Sequence, residues 1–173
     1  LGAETTDMGI IKDDTDEIAQ KIKEALEVSD AMITTGGTSV GGLDLVPDAV
    51  NRLGEPGVVV HGVALRPAMP TAVGKLGDKP VVILSGNPVA AVIGFEVFGR
   101  ALICRMLGMD RTEPRPIVTV KLAKRVTSAL GKKTYVRVHV TQKGGTLFAE
   151  PVSAKGSGSI STVTQSNGYL IVA

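Results

Sequence analysis

The chain has 173 residues, 43% of them hydrophobic and 21% charged, with a formal net charge of +2, no Trp, two Tyr and three Phe. This is the composition of a core-forming globular chain, long enough for one ordinary domain or one domain plus a small appendage, and no apolar run approaches a membrane-spanning length. Scattered basic residues and few aromatics argue against nucleic acid as a partner and favour a small anionic ligand.

One cysteine, Cys104, cannot form an internal disulfide, and the start lacks a basic, then apolar, then small-residue leader, so a cytoplasmic protein is expected. Leu1-Gly2-Ala3-Glu4 reads as the end of a helix leading into a second strand, which predicts a fragment of a longer protein. Met8-Gly9-Ile10-Ile11 is then a short strand. Ile18, Ile22, Ala25 and Leu26 recur at helical spacing behind Asp14 or Thr15 as N-cap, with Asp16 and Glu17 in the first turn. Two carboxylates, Asp13 and Asp14, stand at this strand-to-helix turn. One suffices as a cap, and the other is available to a ligand or metal.

Ala31 to Thr35 reads as a buried strand that runs into Gly36-Gly37-Thr38-Ser39-Val40-Gly41-Gly42-Leu43, and a helical pattern resumes at Asp44 or Pro47. A loop with little side-chain bulk between a strand end and a helix start brings backbone N–H groups close to an anion, where the helix dipole favours phosphate. Strand, helix, strand, helix predicts parallel pairing, with ligands at the carboxyl ends of the strands. In that arrangement Asp13 and Asp44 face one crevice, although Asp44 serves equally well as a helix cap. Val58 to Val60 forms a further strand. His61 reads as structural, and Arg66, beside Pro67, either presents a cation to an anion or is a solvated charge.

Ala72 to Leu76 and Val81 to Leu84 read as strands joined by a Gly77-Asp78 turn. Ser85-Gly86-Asn87-Pro88 then repeats the strand, small polar loop and helix design, with Asn87 as cap and Pro88 in the first turn. The helix to Leu107 is apolar nearly all round, which marks a buried packing element carrying Cys104. The expected domains are residues 1–110, a linker at 111–116, and a β unit at 117–173. Its strands are Ile117 to Leu122, Thr134 to Thr141, Thr146 to Glu150 and Tyr169 to Val172, with a flexible Lys155 to Ser159 loop. A unit of that size should pack on the first domain or on a partner.

Gly-Ile-Ile-Lys-Asp-Asp (9 to 14), Thr-Thr-Gly-Gly-Thr-Ser-Val-Gly-Gly-Leu-Asp (34 to 44), Val-Ala-Leu-Arg-Pro (63 to 67), Gly-Lys-Leu-Gly-Asp-Lys-Pro (74 to 80) and Ser-Gly-Asn-Pro-Val (85 to 89) together resemble the C-terminal half of the molybdopterin molybdotransferase family, which also supplies the C-terminal domain of gephyrin. The resemblance implies an α/β fold, a three-layer parallel-type sheet with helices on both faces, lacking its first strand and followed by a small all-β barrel-like domain. It implies insertion of molybdate or tungstate into adenylylated molybdopterin with release of AMP, by a homodimer whose cleft is shared between subunits. Asp13 and Asp44 would be the catalytic and Mg²⁺-holding acids. Gly36, Gly37, Thr38, Ser39, Gly41, Gly42, Ser85, Gly86, Asn87 and Pro88 would contact the pterin nucleotide, with Arg66, Pro67 and Lys75 beside them.

Three departures stand out. Ser85 replaces the family's usual Pro, Pro67-Ala68-Met69-Pro70 replaces its Pro-Gly-Lys-Pro, and the N-terminal half is absent, so a partial enzyme is expected. A molybdopterin adenylyltransferase or a non-catalytic scaffold module are the alternatives.

Overall fold

The computed structural model describes residues 1–38, 44–109, 115–152 and 159–173. Helix α1 (Thr15–Val28) starts where Asp14 accepts the N–H groups of Asp16 and Glu17, both at 2.9 Å, so Asp14 is the cap and Asp13 is left exposed in front of it. The buried face is Ile18, Ile22, Ala25 and Leu26, as the spacing predicts.

Four strands form the first sheet: β1 (Met32–Thr35), β2 (Pro56–His61), β4 (Ala72–Leu76) and β5 (Lys79–Leu84), in the order β1-β5-β4-β2. β1 and β5 run parallel, whereas β5–β4 and β4–β2 are antiparallel. α1 and α2 (Leu45–Leu53) cover the face that carries Val81 and Ile83. On the opposite face, α3 (Pro88–Gly94) approaches closely because Gly94 has no side chain: a Cβ there would meet Leu84 Cδ2 at 2.9 Å.

α3 continues through a π turn (Phe95–Gly99) into α4 (Arg100–Met106). A Cβ on Gly99 would lie 2.6 Å from the Phe95 ring, so glycine makes room for the ring across the widened turn. The helix expected as a buried packing element is half-buried along much of its length, with Cys104 inside at 1% exposure and Met106 and Leu107 exposed.

The second sheet has the order β3-β7-β8-β6, with β9 also on β7. Its strands are β3 (Leu65–Arg66), β6 (Lys121–Leu122), β7 (Lys133–Lys143), β8 (Thr146–Pro151) and β9 (Gly168–Val172), and α5 (Ser161–Thr164) precedes β9. β3 comes from the first half of the chain and pairs with Lys133 and Thr134. Tyr135 and Tyr169 pack on Leu65, Ala68, Ala90 and Ile93. The β unit thus packs on the α/β unit, as its size required.

Two expected elements differ, and a third falls largely outside the described residues. Met8 to Ile11 is not a strand: Gly9 takes φ +78 and its N–H bonds Asp7 Oδ1 at 2.8 Å, while Met8 and Ile11 pack against the core as side chains. The strand expected over Ile117 to Leu122 shrinks to Lys121–Leu122, because only these residues find a partner, on β8. Of the Lys155 to Ser159 loop, Lys155 to Gly158 lie outside the described residues.

Candidate functional site at the ends of two parallel strands

Parallel pairing in the register Thr35↔Leu84 puts the carboxyl ends of β1 and β5 side by side, and with them the two small-residue loops. Gly36 N–H donates to Leu84 O at 3.0 Å, and a Cβ on Gly86 would lie 3.4 Å from Gly36 Cα, so the loops touch through backbone. Gly36 and Gly37 take φ +89 and +63, in the left-handed region where side chains are strained. At Gly37 space is closed too, since a Cβ would meet Val46 Cγ2 at 2.5 Å.

Thr38 is buried at 9% exposure, and its Oγ1 lies 3.4 Å from Asp44 Oδ1, 3.3 Å from Pro70 O and 3.3 Å from His61 Nε2. His61 Nε2 is also 3.6 Å from Asp44 Oδ1. Asp44 occupies the N-cap position of α2, yet its side chain makes no cap hydrogen bond, so its carboxylate faces Thr38 and His61 instead of the helix. Ser39, Gly41 and Gly42 lie outside the described residues.

The second loop turns by different means. Ser85, buried at 3% exposure, accepts the Asn87 N–H on its Oγ at 3.2 Å, and Asn87 O takes the Ala91 N–H at 2.9 Å to open α3. Asn87 sits at the cap position without a side-chain cap bond, so Ser85, not Asn87, holds the turn. Gly86, Asn87 and Pro88 are exposed beside the first loop. Ser85 thus supplies an acceptor that proline lacks.

The other candidates are spread more widely. Asp13 precedes the first turn of α1, which is tied to the last turn of α2 by Asp16 and Arg52 at 3.6 Å, and it is not part of the Thr38, Asp44 and His61 group. Arg66 is exposed on β3 in the second sheet, with Pro67 half-buried after it. Lys75 stands opposite Pro80 in the antiparallel β4–β5 pair and binds Asp78 at 2.8 Å. That is four residues from Leu84 along β5, roughly 13 Å from the loops. The structure therefore does not bring Lys75 to this crevice, because a hairpin return reverses which end of β4 lies near the end of β5. Ala68, where the resemblance has glycine, takes φ +93 and is 2% exposed, so its buried methyl is held at a backbone strain of about 1–3 kcal/mol.

The sequence marks His61 as structural but gives no sign that it meets Thr38 and Asp44. His61 is 23 residues from Thr38, and only the β2–β4 register, His61↔Ala72, carries it to the loop. The alternation of β2 offered no signal, because an apolar run ending in one histidine reads the same whichever way its last side chain points.

Fold and site together define an α/β domain whose candidate site lies at the ends of a parallel strand pair, joined to a small β unit. Residues 1–105 match the family described as "Probable molybdopterin binding domain", and residues 119–173 match the MoeA C-terminal region, domain IV. The chain belongs to the molybdopterin-binding domain family. A Methanocaldococcus jannaschii relative, whose name refers to molybdopterin biosynthesis, is 38% identical over 172 residues, 99% of this chain and 39% of the relative. Bacillus subtilis molybdopterin molybdenumtransferase is 33% identical over 171 residues, again 99% of this chain and 39% of that protein. The crystal structure of a molybdopterin biosynthesis MoeA protein from Pyrococcus horikoshii superposes with a TM-score of 0.75 at 28% identity, covering 96% of this chain and 38% of that one. The chain spans about two fifths of the length of these three proteins.

Proposed function

We propose that this chain is the pterin-nucleotide-binding part of a molybdopterin molybdenumtransferase, which inserts molybdate or tungstate into adenylylated molybdopterin and releases AMP. The observation that carries this reading is the pair of touching loops at the ends of β1 and β5, in a chain whose two segments match the molybdopterin-binding domain and the MoeA C-terminal region in that order. The second match favours this activity over adenylyl transfer, since the β unit is what separates the two resemblances.

In this reading the exposed backbone of Gly86 and Asn87 and the Gly36–Thr38 turn receive the nucleotide. Asp44, beside the Thr38 hydroxyl, supplies one hard oxygen donor. Among the described residues no group of three or more His, Cys, Asp or Glu side chains could hold a metal by itself. With Asp44 as one carboxylate and the nucleotide supplying phosphate oxygens, the donor set would suit Mg²⁺ in the manner usual for that ion. When bound, Mg²⁺ would offset the repulsion between Asp44 and the phosphate. Thr38 and His61 hold the Asp44 carboxylate toward the crevice. Following the resemblance, the working protein is a homodimer in the cytoplasm. Among the described residues, no helix is long and apolar enough to cross a membrane.

Isothermal titration with adenylylated molybdopterin and Mg²⁺ tests the reading. Binding should weaken at least about tenfold in Asp44→Ala, the order of one charge-assisted contact. The longer protein carrying Asp44→Ala should lose AMP release in molybdate. AMP-linked pterin made from ATP would instead establish an adenylyltransferase, and peptide binding without nucleotide binding would establish a scaffold.

A further inference from the structure

We infer that His61 is a positioning residue, which fastens the neck of the first loop by donating its Nε2–H to Thr38 and so fixes where Asp44 points. The argument begins with proton arithmetic at Thr38. Its hydroxyl has one proton and two oxygen acceptors in reach, Pro70 O at 3.3 Å and Asp44 Oδ1 at 3.4 Å. Were His61 Nε2 a third acceptor at 3.3 Å, three lone pairs would compete for that proton. With Nε2 protonated, the ring donates to Thr38 Oγ1, Thr38 donates its O–H to one of the two oxygens, and the same N–H faces Asp44 Oδ1 at 3.6 Å.

Placement supports the role. Thr38 and Asp44 are the two ends of the loop, and Val46 N–H to Gly37 O at 3.1 Å closes the backbone behind them. His61 and Pro70 are anchored where β2 meets β4, by the His61↔Ala72 pair and Gly62 N–H to Thr71 O at 3.0 Å. A side chain from the antiparallel part of the sheet thus clamps a loop that issues from its parallel part. Nothing about this clamp depends on ligand, but its consequence for binding rests on the nucleotide reading above.

Amide hydrogen exchange on the full chain, read by NMR, tests it with three variants. His61→Gln places an amide N–H near the position of Nε2, His61→Asn places one too short to reach, and His61→Leu removes it. The Gln variant should hold exchange at Val46 within about twofold of wild type, while Asn and Leu should raise it about fivefold, the effect of one lost hydrogen bond. Amides of the β4–β5 ladder should be unchanged in all three. Wild-type exchange at Val46 in the Asn variant, equal losses in Gln and Asn, or equal acceleration of Val46 and the ladder would each overturn the proposal. A parallel titration with AMP and Mg²⁺ should show weaker binding in Asn than in Gln. Failure of the wild-type chain to bind AMP would count against the nucleotide reading alone, because exchange at Val46 is measured without it.

Discussion

The two loops at the ends of β1 and β5 occupy equivalent places in the sheet and solve the same turn with different chemistry. After β1, two glycines take positive φ and the loop ends are held by side chains, Thr38 to Asp44 and His61. After β5, no residue from Ser85 to Pro88 has positive φ, and a serine hydroxyl takes the turn's N–H. The first solution depends on missing Cβ atoms and on residues distant in sequence, whereas the second is local. Their helices differ in the same sense: α2 belongs to the core with α1, while α3 contributes Ala90 and Ile93 to the contact with Tyr135 and Tyr169 of the β unit.

The sharpest way to break this contrast is to give both loops a methyl group. Gly37→Ala, with its Cβ 2.5 Å from Val46 Cγ2 at φ +63, is expected to cost about 2–4 kcal/mol in urea unfolding, from left-handed strain plus overlap. Gly86→Ala, whose Cβ meets the Gly36 backbone at ordinary contact distances, Cα at 3.4 Å and N at 3.9 Å, and whose φ is not positive, should cost less than about 1 kcal/mol. Similar losses in the two would show that the loops are not built differently.

Ser85→Ala should cost about 1 kcal/mol by the same measurement, the worth of one hydrogen bond. Asn87→Ala should stay within about 0.5 kcal/mol, because Asn87 makes no cap bond. Asp14→Ala provides the scale for a working cap, expected at about 1 kcal/mol, with Asp13→Ala near zero.

The smallest effect concerns the seat of α3. Burial holds the Tyr169 hydroxyl above its ordinary value, Glu96 adds to this, and Arg115 and Arg137 oppose it. A raised folded-state value favours the protonated folded form, so this contribution is complete below the ordinary tyrosine range and is lost as pH climbs through it to the folded-state value. Thermal melts from neutral to strongly alkaline pH should decline less steeply in Tyr169→Phe than in wild type. An identical decline would separate α3's seat from the phenol.

How much of this was legible in the sequence follows the same division. Helix α1 with its acidic cap, both small-residue loops and the Ser85 to Pro88 turn were readable, because caps, helical spacing and strand-loop-helix patterns act over a few residues. The fate of Met8 to Ile11 was not: an apolar run becomes a strand only when another strand pairs with it, and here Met8 and Ile11 pack without a ladder while Ile10 stays exposed. Lys75 was placed beside the loops by the resemblance alone, and strand direction, which fixes its position, is invisible in a run of five residues. The antiparallel return from β4 to β5 carries it to the far end.

By itself, then, the sequence determined the local devices: a loop of glycines that needs left-handed backbone, a carboxylate at each of two helix starts, and a change of period beyond residue 116. Only tertiary structure decided which devices meet. Parallel pairing of β1 with β5 joined the two loops, and the β2–β4 register delivered His61 to Thr38 and Asp44. The reason is the range of the forces: dihedral preference and capping act between neighbours in the chain, whereas the address of a side chain in space is set by strand order, direction and register, which are properties of the sheet as a whole.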